Sequence, residues 1–463
     1  MTAALAAAWQ GPGTLVLRAE EVLADVPRKA DRTPEQRARV IAATDDARRA
    51  RTAFLAEHGQ DVYDALTGNR TRYLRLDELL DAAAVLLDGL VPTREQMAAE
   101  AGLAQADKEG REIDQAVFFS GVLRQERAGL HLMESLLRPT DRALALLPEF
   151  TGRGSVDLGR LHVERVGEAA HLTVTNPGAL NAEDNDLIAA MDVGVDLVLL
   201  DDRVKVGVLR GGEMTHPRYR GRRVFSAGIN LRHLDAGRIS YTDFLLRREL
   251  GYLSKLQRGL LLADASGRPL TSRSPHWTAQ TVQKPWIAAV DGFAIGGGMQ
   301  LLFAFDRVIA ASDAYFSLPA AQEGIIPGVA NLRLPRIAGS RLARQVILSG
   351  RRIHATEPEA RLICDTVADP AALDTAVAAA VEELAAPAVV ANRRMLGLAE
   401  EPPSVLRAYL AEFALHQGLR LYAPDVLEKT ARFTPAQPTP TAGDGGAAAR
   451  SSAREGHGSS IMW

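Results

Sequence analysis

The run Ala289-Val290-Asp291-Gly292-Phe293-Ala294-Ile295-Gly296-Gly297-Gly298-Met299-Gln300-Leu301-Leu302 changes character at its centre. Trp286–Val290 leads into it as a short unbroken apolar stretch, the length and composition of a buried strand. Three successive glycines follow, and Gly297–Phe305 then takes up helical spacing. Backbone amides at a helix start carry partial positive charge and point at an approaching anion. Glycines permit that approach because no Cβ intervenes. Taken alone, the three glycines serve equally well as a tight strand-to-helix turn.

Outward from this run the pattern is α/β. Leu161–Val166 and His171–Thr175 alternate polar and apolar residues around Gly167, which predicts a β-hairpin. A helix is expected over Glu183–Val195, then strands at Leu197–Leu200, Val204–Leu209, Val308–Ala310 and Ala314–Ser317. Strands alternating with helices argue for layered turns of a superhelix. Upstream, Thr33–His58, Leu76–Leu90 and Glu112–Leu137 place apolar residues at helical spacing, with Pro92-Thr93 and Pro139-Thr140 as breaks and N-caps. Downstream, Leu342–Leu348, Leu373–Leu384, Val389–Leu398 and Val405–Arg420 are helical, and Thr434 to Trp463 reads as a disordered tail. The expected division is an all-helical N-terminal domain (1–155), an α/β core (156–339), a helical C-terminal region (340–433) and the tail (434–463).

Composition narrows the class. The 463 residues are 47% hydrophobic and 24% charged, an ordinary globular balance. A net charge of −3 lacks the basic excess of a nucleic-acid binder. Cys364 is the single cysteine, which excludes an internal disulfide and a cysteine-built metal cluster; it reads as packing within a helical segment. No apolar run approaches bilayer length, and the start of the chain lacks a secretory pattern, so a cytoplasmic protein without membrane partners is expected. The ten histidines form no two-His-plus-carboxylate cluster at short spacing, and the glycine run lacks the dinucleotide fingerprint.

Four ordered stretches resemble the crotonase (enoyl-CoA hydratase/isomerase) superfamily. Ser226-Ala227-Gly228-Ile229-Asn230 matches its first glycine motif and Gly292–Gly298 its second. Phe316–Gly328, ending in Ile326-Pro327-Gly328, matches the stretch after the next strand, and Asn176–Ala182 the early loop over coenzyme A. The likeness spans about Gly159 to Phe433. It implies a ββα superhelix in which the amides of Ile229 and Gly297 form an oxyanion hole for a thioester carbonyl. One such donor is worth roughly 3 kcal/mol to a developing enolate. It also implies a homo-hexamer of paired trimers, with residues 340–433 serving trimerisation.

Ordinary hydratases use two glutamates. Here the matching positions hold Gln300 and Ala320, with Glu323 three residues away, so hydration is not expected. The helical extension, Arg247-Arg248-Glu249-Leu250-Gly251-Tyr252 and Phe316–Leu334 resemble a narrower group within the superfamily: dioxygenases of a dihydroxyphenylacetyl-CoA thioester in the biosynthesis of vancomycin-type glycopeptide antibiotics. That resemblance implies acyl-CoA and O2 as substrates, no metal, flavin or nicotinamide, and 3,5-dihydroxyphenylglyoxylate and free CoA as products. It places Glu183, Arg248 and Gln300 around the ring and reacting carbon. It assigns substrate contacts to Pro177, His216, Pro217, Arg218, Tyr219, Ala227, Gly228, Asn230, Leu231, Arg232, Ile326, Pro327 and Gly328. Bland readings stand beside these: Arg248 as a solvated helix arginine, Glu183 as a helix-start carboxylate, and the basic run His216–Arg223 as a solvated loop. Other enzymes of the fold (a hydrolase, isomerase or decarboxylase) and a noncatalytic acyl-CoA-binding protein are the alternatives.

Overall fold

The computed structural model describes residues 2–264, 266–271 and 280–432; the tail expected at 434–463 lies outside them. The N-terminal part is helical. It contains α1 (Thr2–Ala24), α2 (Pro34–Thr67), α3 (Leu76–Leu86), α4 (Arg94–Ala101), α5 (Arg111–Arg124), α6 (Glu126–Leu136) and α7 (Asp141–Arg153). The predicted caps are in place. Thr93 and Gln96 close a capping box on α4, and Thr140 accepts from the amide of Ala143 on α7. α1 lies upstream of the helical stretches named from the sequence, but within the N-terminal domain expected to be helical; it carries Gly11-Pro12-Gly13 at its centre and is held by Leu5, Trp9, Val16 and Val22, all buried.

The α/β part contributes β1 (Ser155–Asp157), β2 (Leu161–Val166), β3 (Ala169–Val174), β4 (Val206–Gly211), β5 (Leu260–Leu261), β6 (Thr281–Val282), β7 (Trp286–Val290), β8 (Phe293–Ile295), β9 (Arg307–Ala311), β10 (Tyr315–Ser317), β11 (Ile353–His354) and β12 (Thr366–Ala368). The main sheet runs β1-β2-β3-β4-β7-β9-β12, parallel from β3 onward. A smaller sheet runs β11-β10-β8. The chain passes from β7 in the large sheet to β8 in the small one, through α12 (Gly297–Leu302), and back to β9 and β10. Each such pass is one ββα turn of a superhelix, as expected. The hairpin about Gly167 is also present: β2 pairs antiparallel with β3, and Gly167 has φ +61°.

Two readings are corrected. Leu197–Leu200 is not a strand but the last turn of α8 (Asn185–Leu200), a helix buried on nearly every side. A continuous apolar run has no periodicity to separate the two states. Cys364 follows a short 3-10 turn, Pro358–Leu362, and is not itself helical; it is buried, and burial pushes its thiol up to about 11. The helices that complete the chain are α9 (Leu231–Asp235), α10 (Arg247–Leu250), α11 (Tyr252–Arg258), α13 (Ala320–Glu323), α14 (Ala330–Ser349), α15 (Leu373–Leu384), α16 (Pro387–Glu400), α17 (Pro403–Arg420) and α18 (Pro424–Ala431). Strands β11 and β12 lie beyond residue 339 yet pair with β10 and β9, so both sheets are completed from that later segment. Among the described residues no helix is long and apolar enough to cross a membrane.

Candidate active site

The glycine motifs meet at the strand ends. The Ser226 amide donates to the Phe293 carbonyl, the Ile295 amide to the Ser226 carbonyl, and the Gly296 amide to the Ser317 carbonyl. The early loop is stitched to the same place: Asn181 Nδ2 donates to the Val224 carbonyl at 2.7 Å, and Ser226 Oγ to the Asn181 carbonyl at 3.1 Å. A Cβ on Gly228, whose φ is +82°, would meet the Ile295 carbonyl oxygen at 2.7 Å and the Gly297 nitrogen at 3.0 Å. Only glycine lets the two backbones come this close.

That contact decides where two amides point. The Glu183 amide donates to the Gly228 carbonyl at 2.6 Å, and the Asn230 amide to the Glu183 carbonyl at 2.9 Å. In such a parallel bridge the residue between, Ile229, has its own N–H on the opposite side. Neither the Ile229 nor the Gly297 amide donates to an acceptor among the described residues. Both residues line a cavity of about 940 Å³. The site therefore offers two adjacent, unpaired N–H donors to whatever enters.

Beside them lies a buried charged cluster. Arg248 is only 3% exposed and spends its guanidinium in three directions. Nε donates to both oxygens of Glu183 at 3.1 and 3.2 Å, Nη1 to Glu249 at 2.9 Å, and Nη2 to the Gly297 carbonyl at 2.9 Å. Burial disfavours its charge more than any single partner favours it, but Glu183, Tyr252 and Glu249 together outweigh burial and hold Arg248 well above the usual arginine range. Tyr252 Oη donates to Glu183 at 3.1 Å, and burial keeps that phenol protonated. Gln300 Nε2 donates to Glu249 at 2.7 Å, and the Val329 amide reaches the other Glu249 oxygen at 3.2 Å. The solvated reading of Arg248 is overturned.

Of the residues singled out in the sequence, Glu183, His216, Ala227, Ile229, Asn230, Leu231, Arg232, Arg248, Gly297, Gln300, Ile326, Pro327 and Gly328 line this cavity. Gly228 is buried directly behind the wall. Pro177, Pro217, Arg218 and Tyr219 are not on the wall. Tyr219 packs edge-on against Phe293 at 5.5 Å, and the Arg218 guanidinium lies over the Tyr219 ring. In the rest of the basic run, Arg222 pairs with Asp313 and Arg223 with Asp374. Sequence reasoning missed Glu249 as a site residue, and it missed Arg352, Lys429 and Arg432 on the cavity wall. Glu249 adjoins Arg248 in sequence, but only its burial marks it. Glu323 also lines the cavity, where burial raises its carboxyl pKa. Among the described residues no group of three His, Cys, Asp or Glu side chains is placed to hold a metal ion.

The profile of the enoyl-CoA hydratase/isomerase family matches residues 265–398. The chain is 55% identical over 416 residues to the (3,5-dihydroxyphenyl)acetyl-CoA 1,2-dioxygenase of Amycolatopsis orientalis, a match covering 90% of this chain and 93% of that one. It is 30% identical over 284 residues to a probable enoyl-CoA hydratase of Rhizobium meliloti, covering 59% of this chain and 97% of its relative. A crystal structure of an enoyl-CoA hydratase/isomerase from Mycobacterium paratuberculosis superposes with a TM-score of 0.46 at 25% identity, covering 59% of this chain and 98% of that one.

Proposed function

The chain belongs to the crotonase-fold family of the (3,5-dihydroxyphenyl)acetyl-CoA 1,2-dioxygenases, and on that footing we propose that it converts (3,5-dihydroxyphenyl)acetyl-CoA and O2 to the arylglyoxylate and free CoA. The observation that carries this reading is the pair of unpaired amides, Ile229 and Gly297, facing a cavity beside buried Arg248. Those amides hold the thioester oxygen as it gains enolate charge. Loss of one α-proton leaves a carbanion delocalised into ring and thioester, and its electrons reduce O2. A C–O bond forms at the α-carbon. The distal oxygen then attacks the thioester carbonyl carbon, and the C–S bond breaks to release CoA. Cleavage of the O–O bond with loss of the second α-proton leaves the α-keto acid. Arg248 faces the negative charge that accumulates during oxygen reduction.

The reaction is proposed to need no metal or organic cofactor, since the substrate carbanion itself supplies the electrons. The support is the donor set around the reacting position: backbone amides, one arginine, carboxylates, a glutamine and a tyrosine. The hexamer of paired trimers and a cytoplasmic location belong to the same proposal. A light-scattering mass below six chains overturns the hexamer, and fractionation of the producing cells tests the location. The deciding experiment measures oxygen uptake on (3,5-dihydroxyphenyl)acetyl-CoA after exhaustive chelation, with crotonyl-CoA as a second substrate. Sustained uptake and no 3-hydroxybutyryl-CoA are expected, because Gln300 and Ala320 cannot act as acid and base. Turnover restored only by one metal defeats the cofactor-free reading. Steady hydration shows that another acid–base pair, with Glu323 as a member, has been recruited.

A further inference from the structure

Residues 231–250 give the cavity Leu231, Arg232, Phe244, Leu245, Arg248 and Glu249. They run between β4 and β5 as α9, a π-helical turn (Tyr241–Leu246) and α10. The helical N-terminal part seats this stretch at two points. Lys108 Nζ donates to the Gly237 carbonyl at 2.7 Å, and the Tyr241 amide donates to Glu112 Oε1 at 2.8 Å. Lys108 and Glu112 stand four residues apart, as do Gly237 and Tyr241, so the two bonds act in register. The fit is close at Gly237, where φ is +68° and a Cβ would lie 2.1 Å from the Leu103 carbonyl oxygen. Lys108 and Glu112 are both buried, and the second Glu112 oxygen takes Tyr422 Oη at 2.6 Å.

The bond to Tyr241 matters because of what starts there. An amide in the first turn of a helix has no acceptor within it, and Glu112 supplies one from outside. The turn that follows is wound wide: the Arg247 amide donates to the Thr242 carbonyl, five residues back. Such a turn holds one more residue than an α-helical turn, and one residue of α-helix is about 100° of rotation. Rewound as α-helix, the stretch would carry Arg248 and Glu249 off the cavity wall. We propose that Lys108 and Glu112 are positioning residues that hold the start of this wide turn, and so the direction in which Arg248 and Glu249 face, making the N-terminal helices part of the catalytic apparatus. The inference rests on the dioxygenase reading of the site for its effect on rate.

The test sets reach against charge in the full-length protein. Glu112→Gln loses the charge but keeps the reach: its oxygen accepts from Tyr241, and its NH2 faces the Tyr422 oxygen, which can accept. Glu112→Asp keeps the charge but draws the carboxylate back from Tyr241. With (3,5-dihydroxyphenyl)acetyl-CoA, Glu112→Asp is expected to lose about a hundredfold in kcat, the scale of reacting groups displaced by about an ångström. Its affinity for free CoA, measured by calorimetry, should stay that of wild type, and Glu112→Gln should keep most of the rate. Backbone hydrogen exchange should quicken at residues 241–250 in Glu112→Asp and not in Glu112→Gln. Wild-type kcat in a folded Glu112→Asp overturns the proposal. So does a loss shared equally by Glu112→Gln, which makes charge rather than reach the cause, and so does a loss that only mirrors the fraction unfolded. If Glu112→Asp does not fold, Lys108→Met, which leaves the Gly237 carbonyl without its donor, is read in the same way: a similar fall in kcat supports the proposal and an unchanged kcat overturns it. A wild type that consumes no oxygen defeats the dioxygenase reading instead, and the exchange pattern then decides whether these residues hold the wall.

Discussion

Arg248 is where charge and geometry converge on one side chain. It satisfies two buried carboxylates and a backbone carbonyl at once, a task suited to a planar fork with five donors. Lysine keeps the charge but presents three donors from one point. Arg248→Lys should therefore lose about 1–3 kcal/mol of stability through imperfectly paired carboxylates. It should still fold and bind acyl-CoA, while oxygen uptake falls by about a hundredfold, the scale of losing one preorganised donor. Wild-type turnover in that variant would remove Arg248 from the reaction. Its place on the cavity wall was legible from the resemblance, as was that of Glu183, Gln300, Ile229 and Gly297. Its environment was not. Nothing in an Arg-Arg-Glu run says which charge points inward, because burial depends on what packs from distant parts of the chain: here Glu183 from the segment before α8 and Gly297 from α12.

At the scale of elements, the pair of amides proposed as the oxyanion hole depends on how closely two turns approach. Gly228 is the contact point. Alanine there must adopt a left-handed backbone, costing about 1–2 kcal/mol, and its Cβ would collide with the Ile295 carbonyl oxygen. Gly228→Ala is expected to separate the two motifs and to cut oxygen uptake by at least about a hundredfold. Gly152→Ala is the control: it lies in α7 with nothing within 4 Å of its Cβ. It should be neutral or stabilise by up to about 1 kcal/mol. Comparing unfolding midpoints and rates for the two variants checks both expectations. The contrast also shows what sequence can and cannot reveal. The Gly292–Gly298 and Ser226–Asn230 motifs announce themselves because backbone approach demands glycine. The last turn of α8 does not, since a helix end buried all round carries the same apolar letters as a strand.

Across the whole molecule the N-terminal helices and the α/β sheets share one hydrophobic core. Polar ties reinforce that continuity. Lys255 of α11, fully buried, bonds Asp192 and Asp196 of α8, while Arg75 and the Thr140 amide reach those two carboxylates from the helical side. A protein joined in this way should unfold as a unit, and a titrating group in the helical layer can test it. His131 of α6 is buried, with Nδ1 bonded to Tyr63 at 2.8 Å and its ring stacked on Tyr73. Burial lowers its pKa to about 4. A histidine whose folded pKa lies below its unfolded value of about 6.5 favours folding when neutral. Its contribution is complete above pH 6.5 and is lost as the pH falls towards 4, amounting to about 3 kcal/mol over that range. Gln at this position stays neutral throughout and still offers Tyr63 a polar partner. The stability difference between wild type and His131→Gln should therefore shift by about 3 kcal/mol, in favour of the variant, between pH 7 and pH 4. Urea unfolding followed in parallel by helix content and by oxygen uptake at each pH measures it. Coincident transitions mean that acid acting on a helical-layer histidine unfolds the catalytic sheets as well. Helix loss that precedes loss of activity would show instead that the N-terminal helices form a separately folding layer, despite the shared core.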